Sequence, residues 1–174
     1  MKKLLSTLAI ASTLFMTQAS AQEVSDLTDV EMAHVAYTAD NIDIRYAHLA
    51  LAISTNPDIH EFANTMIRDH IAVNEAALGL LDKLGATAKD NFFSQALNEG
   101  AEKIIDDFSK LRGAEFDMAY AANELAYHQT VNDLVENTMI PNIDNEEVRA
   151  LFKQGLEIFK VHEHHAEMMV KALK

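Results

Sequence analysis

Cysteine and tryptophan are absent from the 174-residue chain, proline occurs twice and glycine five times. Without thiols there are no disulfides, thiolate nucleophiles, zinc–thiolate clusters or Cys-ligated haem and iron–sulfur centres. Basic residues are scarce: 14 Lys and Arg face 27 Asp and Glu, a formal charge of -13. That balance argues against binding a nucleic-acid backbone, where affinity comes from neutralising phosphates, and against docking on an anionic membrane. No Ser stands on a strand-to-helix elbow and no glycine-rich phosphate loop is present, so Ser–His hydrolase chemistry and phosphate cradling lack their motifs. The chain is nonetheless 49% hydrophobic, too apolar to stay disordered and long enough for one domain with a sizeable core. Its chemistry must come from eight His and the carboxylates.

The first residues read as an export signal. Met1, Lys2 and Lys3 give a positive start, Leu4 to Phe15 a short apolar run, and Ala19-Ser20-Ala21 a small-x-small cleavage site. The run is too short to span a bilayer. A cut after Ala21 is expected, which leaves no membrane insertion and places the mature chain in the periplasm or outside the cell. Residues 22–27 are then a short tail, and 28–174 a single helical domain.

From there the pattern is helical throughout, with Gly and Pro as punctuation. Thr28-Asp29-Val30-Glu31 is a capping box opening a helix from Asp29 to about Ser54. Asn56-Pro57 starts a second, which runs to Leu84 ahead of Gly85. A shorter helix is expected from Phe92 to Leu111, closed near Gly113, and a long one from Ala114 to Met139, stopped by Pro141. Asp144-Asn145-Glu146-Glu147 opens the last, ending near Leu173. Each long helix of about 25 residues measures about 38 Å. Two short connections imply two antiparallel hairpins, and the long middle segment can carry the chain back along their length. The expected class is therefore all-α: a four-helix bundle of ferritin-like topology, with a long crossover containing a shorter extra helix.

Some polar residues fall where the apolar stripes want Leu. His70 lies in the ridge Ala63, Ala77, Leu84 of the second helix. Glu124 and His128, four apart, share the buried face marked by Phe116, Tyr120, Tyr127 and Val131, and His162 lies within the stripe of the last helix. Asp43 sits at the centre of the apolar arc of the first helix among small side chains, with Asp40 towards one edge. Counting back from the hairpin turns sets His70 level with about Asn41, and His162 level with about Glu124. Five ionisable groups at matching depth (Asp43, His70, Glu124, His128 and His162) suit a metal ion. The same groups read singly are hydrogen-bonded core residues, with Glu124–His128 and Asp43–His70 as buried pairs. His34, His48 and His60 read as surface residues, His164 and His165 as a partly solvated cluster, and Met168-Met169 as packing residues. Whether Asp40, Glu157 or His165 joins the group is open at this level.

Several segments resemble one family. Asp43-Ile44, Ala47-His48-Leu49-Ala50 and Phe62-Ala63-Asn64-Thr65-Met66-Ile67-Arg68-Asp69-His70 are similar to the DUF4142 family of exported bacterial proteins, as is Gly113-Ala114-Glu115-Phe116-Asp117-Met118-Ala119-Tyr120 to its Gly-x-x-Phe-Asp-x-x-Tyr segment. His128 and His162 match its two later His positions, and the resemblance covers about 27–173. It implies a ferritin-like fold and an exported protein, and no established activity. The family usually has Glu where this chain has Asp43, a shorter arm.

Di-iron bundles carry Glu-x-x-His on two helices, whereas Ile67 and Phe159 precede His70 and His162 by three. Three His with two or three carboxylates suit one divalent transition ion, Zn or Cu favoured and mononuclear Fe possible. The expected function is an exported periplasmic metal-binding protein, in metal handling or envelope stress. The alternative is a metal-free periplasmic interaction or stress module with a buried His/acid hydrogen-bond network. Catalysis and protein partners are not legible.

Overall fold

The computed structural model describes residues 23–174; the expected signal peptide and its cut lie outside the described residues. All regular structure in this span is helical. After a single 3-10 turn at Val24–Asp26 come α1 (Asp29–Ile53), α2 (Pro57–Lys83), α3 (Phe92–Ser109), α4 (Gly113–Leu134), the short α5 (Ile140–Asn142) and α6 (Glu146–Ala172). No helix among the described residues is long and apolar enough to cross a membrane.

The starts follow the side chains that satisfy free backbone N–H groups. Thr28 and Glu31 form the reciprocal capping box of α1, Asn56 caps α2 ahead of Pro57, and Asn145 accepts from the N–H groups of Glu147 and Val148 at α6. α2 ends on Gly85, whose φ of 62° supplies the left-handed residue. The Ala86 N–H then reaches the Leu81 carbonyl and the Gly85 N–H that of Asp82, at 2.9 and 3.0 Å, the Schellman pattern.

Two boundaries differ from expectation. α3 stops at Ser109, and Gly113 (φ 55°) opens α4 rather than closing α3. Pro141 does not end helical structure at Met139: α4 widens into a π-turn over Val135–Met139 and re-forms as α5 through Pro141 to Asn142. In a regular helix the proline ring meets the carbonyl four residues before it, here Asn137. The wider turn around that residue relieves the meeting.

α1 packs against α2, α3 and α4, and α6 against α2 and α4. α1 therefore has apolar neighbours on three sides, which accounts for its wide apolar arc and for Ala39, Ala47 and Ala50 being buried. Hydrogen bonds fix the registers. Tyr127 Oη donates to the Ala39 carbonyl at 3.0 Å and Ser54 Oγ to Asp117 at 2.6 Å, so α1 and α4 run antiparallel. His162 lies beside Asp69 and Lys83 beside Glu147, so α2 and α6 do too. α3 runs alongside α1 in the same direction, with Asn91 on the Glu31 carbonyl and Arg45 on Glu102.

The core fills the interior on both sides of the polar layer. Phe62, Met66, Phe116 and Tyr120 are fully enclosed towards one end, and Met32, Met139 and Ile143 towards the other. Each such side chain contributes about 1.5–3 kcal/mol relative to exposure. On α2 the buried face beyond His70 passes to Asn74 and Leu81, while Ala77 is half-buried and Leu84 exposed. A seven-residue ridge drifts by about 20° per repeat on a straight helix, so Ala77 and Leu84 rotate out of the contact.

Candidate metal centre

Four helices each deliver side chains to one layer: Asp43 from α1, His70 from α2, Glu124 and His128 from α4, His162 from α6. All are enclosed: Asp43 and Glu124 are 0% exposed, His162 2%, His70 and His128 3%. The three rings form a triangle, with centroids 5.9 Å apart for His70–His128, 5.4 Å for His70–His162 and 5.5 Å for His128–His162. Phe159 stacks on His70 at 4.6 Å and closes that side.

Each imidazole is held from outside through one nitrogen. His70 Nδ1–H donates to Asp40 Oδ1 at 2.8 Å, His128 Nδ1–H to the Glu124 carbonyl at 2.9 Å, and His162 Nε2–H to Asp69 Oδ2 at 3.0 Å. This leaves His70 Nε2, His128 Nε2 and His162 Nδ1 buried with no hydrogen-bond partner, along with both carboxylate oxygens of Asp43 and of Glu124. His70 Nε2 nonetheless lies in ion-pair contact 2.6 Å from Asp43 Oδ2, and His128 Nε2 lies 3.5 Å from the same oxygen. One donor atom each from His70, His128 and His162 fall within 4.8 Å of one another, and so do one each from Asp43, Glu124 and His128. His128 belongs to both sets.

Charges in this interior are strongly displaced. Burial pushes Glu124 well up, reinforced by the negative Asp43 beside it, so this carboxyl holds its proton. Burial would raise Asp43 as well, but His70 and His128 outweigh it and hold Asp43 below the usual range. His70 is opposed by burial, yet Asp43 and Asp40 raise it to about 10. Burial lowers His128, and lowers His162 to about 4. Without a cation the layer thus holds a His70–Asp43 ion pair, a protonated Glu124 and two neutral imidazoles. A divalent ion would displace two protons, those of His70 and Glu124, and leave the interior charge unchanged.

All five residues expected from the sequence come together. Asp40, left open there, is in neither donor set and instead accepts from His70 Nδ1–H; it is itself raised by burial. Glu157 and His165 are exposed and stay out; the His165 ring lies on Phe62, with centroids 5.3 Å apart. His34 and His60, expected on the surface, are half-buried, and the His60 ring bonds the Ser54 carbonyl at the α1–α2 turn. Of Met168 and Met169 one was expected on the core side, and Met169 is buried while Met168 is 51% exposed. Asp69 was missed by sequence reasoning. It directly precedes His70, so it points away from that ring's direction, and only the approach of α6 makes it a partner of His162.

The comparisons with known proteins agree with the resemblance. No curated protein and no solved structure matches the chain. A family model described as a domain of unknown function matches residues 14–169, starting earlier and stopping sooner than the 27–173 expected. With that match spanning most of its length, and with the motif residues placed as above, the chain belongs to the DUF4142 family.

Proposed function

We propose that this protein is an exported metal-binding protein whose described residues form a single ferritin-like domain holding one divalent transition ion between its helices. The observation that carries the reading is the orientation of the three imidazoles. Each gives one N–H to an outer acceptor and turns its other nitrogen into the same buried cluster, where His70 Nε2 meets Asp43 and His128 Nε2 and His162 Nδ1 have no hydrogen-bond partner. Metal-binding histidines are held in this way, since the outer bond sets the tautomer and the ring direction. Asp43 and Glu124 add fully buried carboxylate oxygens beside them. A buried polar atom with no partner costs about 1–3 kcal/mol. His128 Nε2 and His162 Nδ1 are two such atoms, left over after His70 pairs with Asp43 and the protonated Glu124 lies beside the same carboxylate. A cation held by the His70, His128 and His162 set, whose donor atoms lie within 4.8 Å of one another, satisfies both. Imidazole and carboxylate donors without thiolate favour Zn or Cu(II), with mononuclear Fe compatible. When bound, such an ion supplies Lewis acidity or, for Cu and Fe, one-electron chemistry; the role is metal handling or envelope stress.

The ferritin-like topology is supported by the short α1–α2 and α4–α6 connections, the antiparallel registers of α1 with α4 and α2 with α6, and a crossover whose helix lies along α1. Export rests on the basic start, apolar run and Ala19-Ser20-Ala21 site. The metal-free alternative requires the buried His and acids to satisfy one another. The His70–Asp43 contact and the protonated Glu124 beside Asp43 favour it, while the unpartnered His128 Nε2 and His162 Nδ1 do not.

Elemental analysis of untagged protein purified gently from its native compartment, with no metal added, tests the reading. Close to one transition metal per chain is expected, lost in a His70→Ala/His128→Ala variant that still folds. Stoichiometric metal in that variant, or a wild-type protein whose melting temperature ignores a chelator, would refute it.

A further inference from the structure

A surface groove of about 470 Å³ opens between α4 and α6. Its walls carry Asp133, Glu136, Glu163, His164 and Glu167. The Lys160 ammonium that also lines it is held by Glu136 at 2.8 Å. A small cavity of about 10 Å³ lies against the interior cluster, bounded in part by Asp40, His70 and His128. One residue, Asn132, lines both spaces. It is 4% exposed. Its Nδ2 donates to Glu163 Oε2 at 2.8 Å and to the Phe159 carbonyl at 3.3 Å. Its Oδ1 is enclosed and has no partner.

Acidic side chains in a groove are by themselves a solvated face. The orphaned amide oxygen changes that, because a buried acceptor left unsatisfied is costly and a cation is what an oxygen donor among carboxylates would bind. We propose that this groove is the route by which a divalent transition cation reaches the interior centre, with Asn132 and Glu163 as its threshold. The inference rests on the metal-binding reading of that centre. Carboxylates converging in a cleft concentrate cations there and speed association by about 10–10³-fold. Glu163 hands the ion inward: it follows His162 in the chain, bonds Asn132, and is near enough for its charge to act on His128. The Asn132 oxygen is neutral, so it can pass an ion on without holding it as a carboxylate would.

Stopped-flow uptake of Co²⁺ by the metal-free full chain, read by visible absorption, tests the route. A triple variant (Asp133→Asn, Glu136→Gln, Glu167→Gln) alters exposed or half-exposed positions that do not touch the inner histidines. Its association rate should fall roughly tenfold at low salt and lose most of its salt dependence, with the dissociation rate unchanged. Asn132→Leu should slow uptake and release together and leave the equilibrium constant as it was. Wild-type uptake rates in both variants would overturn the route while the interior centre stands. A wild-type chain that takes up no Co²⁺ would overturn the centre and the route with it.

Discussion

Acidifying the metal-free protein should expose the charge state of His162. The ring is 2% exposed, and burial, followed by the neighbouring His70 and His128, lowers it from 6.5 to about 4 despite its bond to Asp69. The unfolded chain therefore takes up a proton at this position near pH 6.5, and the folded chain only near pH 4. The contribution is full above pH 6.5 and is lost as pH falls, because the unfolded state binds more protons throughout that window. Each pKa unit is worth about 1.4 kcal/mol, so integrating between the two values gives a loss of about 2 kcal/mol by pH 5 and about 3 kcal/mol by pH 4. Urea unfolding of wild type and His162→Gln, both with chelator, at pH 7, 5 and 4 isolates this residue, since the other titrating groups are common to both proteins. The wild type should lose about 2 and about 3 kcal/mol more than the variant at the two lower pH values. Parallel pH profiles would show that His162 is not a buried neutral imidazole, and the account of the interior charges would fail.

Metal binding near pH 7 should release about two protons, from His70 and from Glu124, both held protonated without the ion. Calorimetric titration in buffers of different ionisation enthalpy measures the number, and zero would refute the assignment. Asp69→Ala frees the His162 ring from its outer acceptor and should weaken metal affinity about 10–100-fold with stoichiometry unchanged; competition with a chromophoric chelator reads this, and unaltered affinity would remove Asp69 from the site. Two glycines, Gly79 within α2 and Gly85 just past its end, should respond with opposite signs. Gly85→Ala forces a side chain into φ 62° and should cost about 1–2 kcal/mol. Gly79→Ala, a helical position near the end of α2 with nothing within 4 Å of the added methyl, should stabilise by about 0.5–1 kcal/mol. Denaturant midpoints of the two variants give both values, and shifts of the same sign would contradict the backbone argument.

Helix positions were legible because local chemistry sets them. Thr28 with Glu31, Asn56 with Pro57, and Asn145 each satisfy their own helix's backbone within one turn, and no distant contact is needed. The five interior residues were legible for a related reason: a charged or His side chain inside an apolar stripe is enclosed wherever that stripe packs. The π-turn before Pro141 was not legible, because a proline reads locally as a stop. Only the continued burial of Val135 and Met139 against the core keeps the chain helical through it.

By itself, then, the amino-acid order determined which faces close and how deep each ionisable group lies, since helix period and hairpin length are local quantities. The tertiary structure decided which nitrogen of each ring is free. That depends on acceptors from other helices, Asp40 of α1 for His70 and Asp69 of α2 for His162, and on the Glu124 carbonyl one turn before His128. It also placed Asn132 between groove and cluster, a position that exists only once α4 and α6 lie side by side.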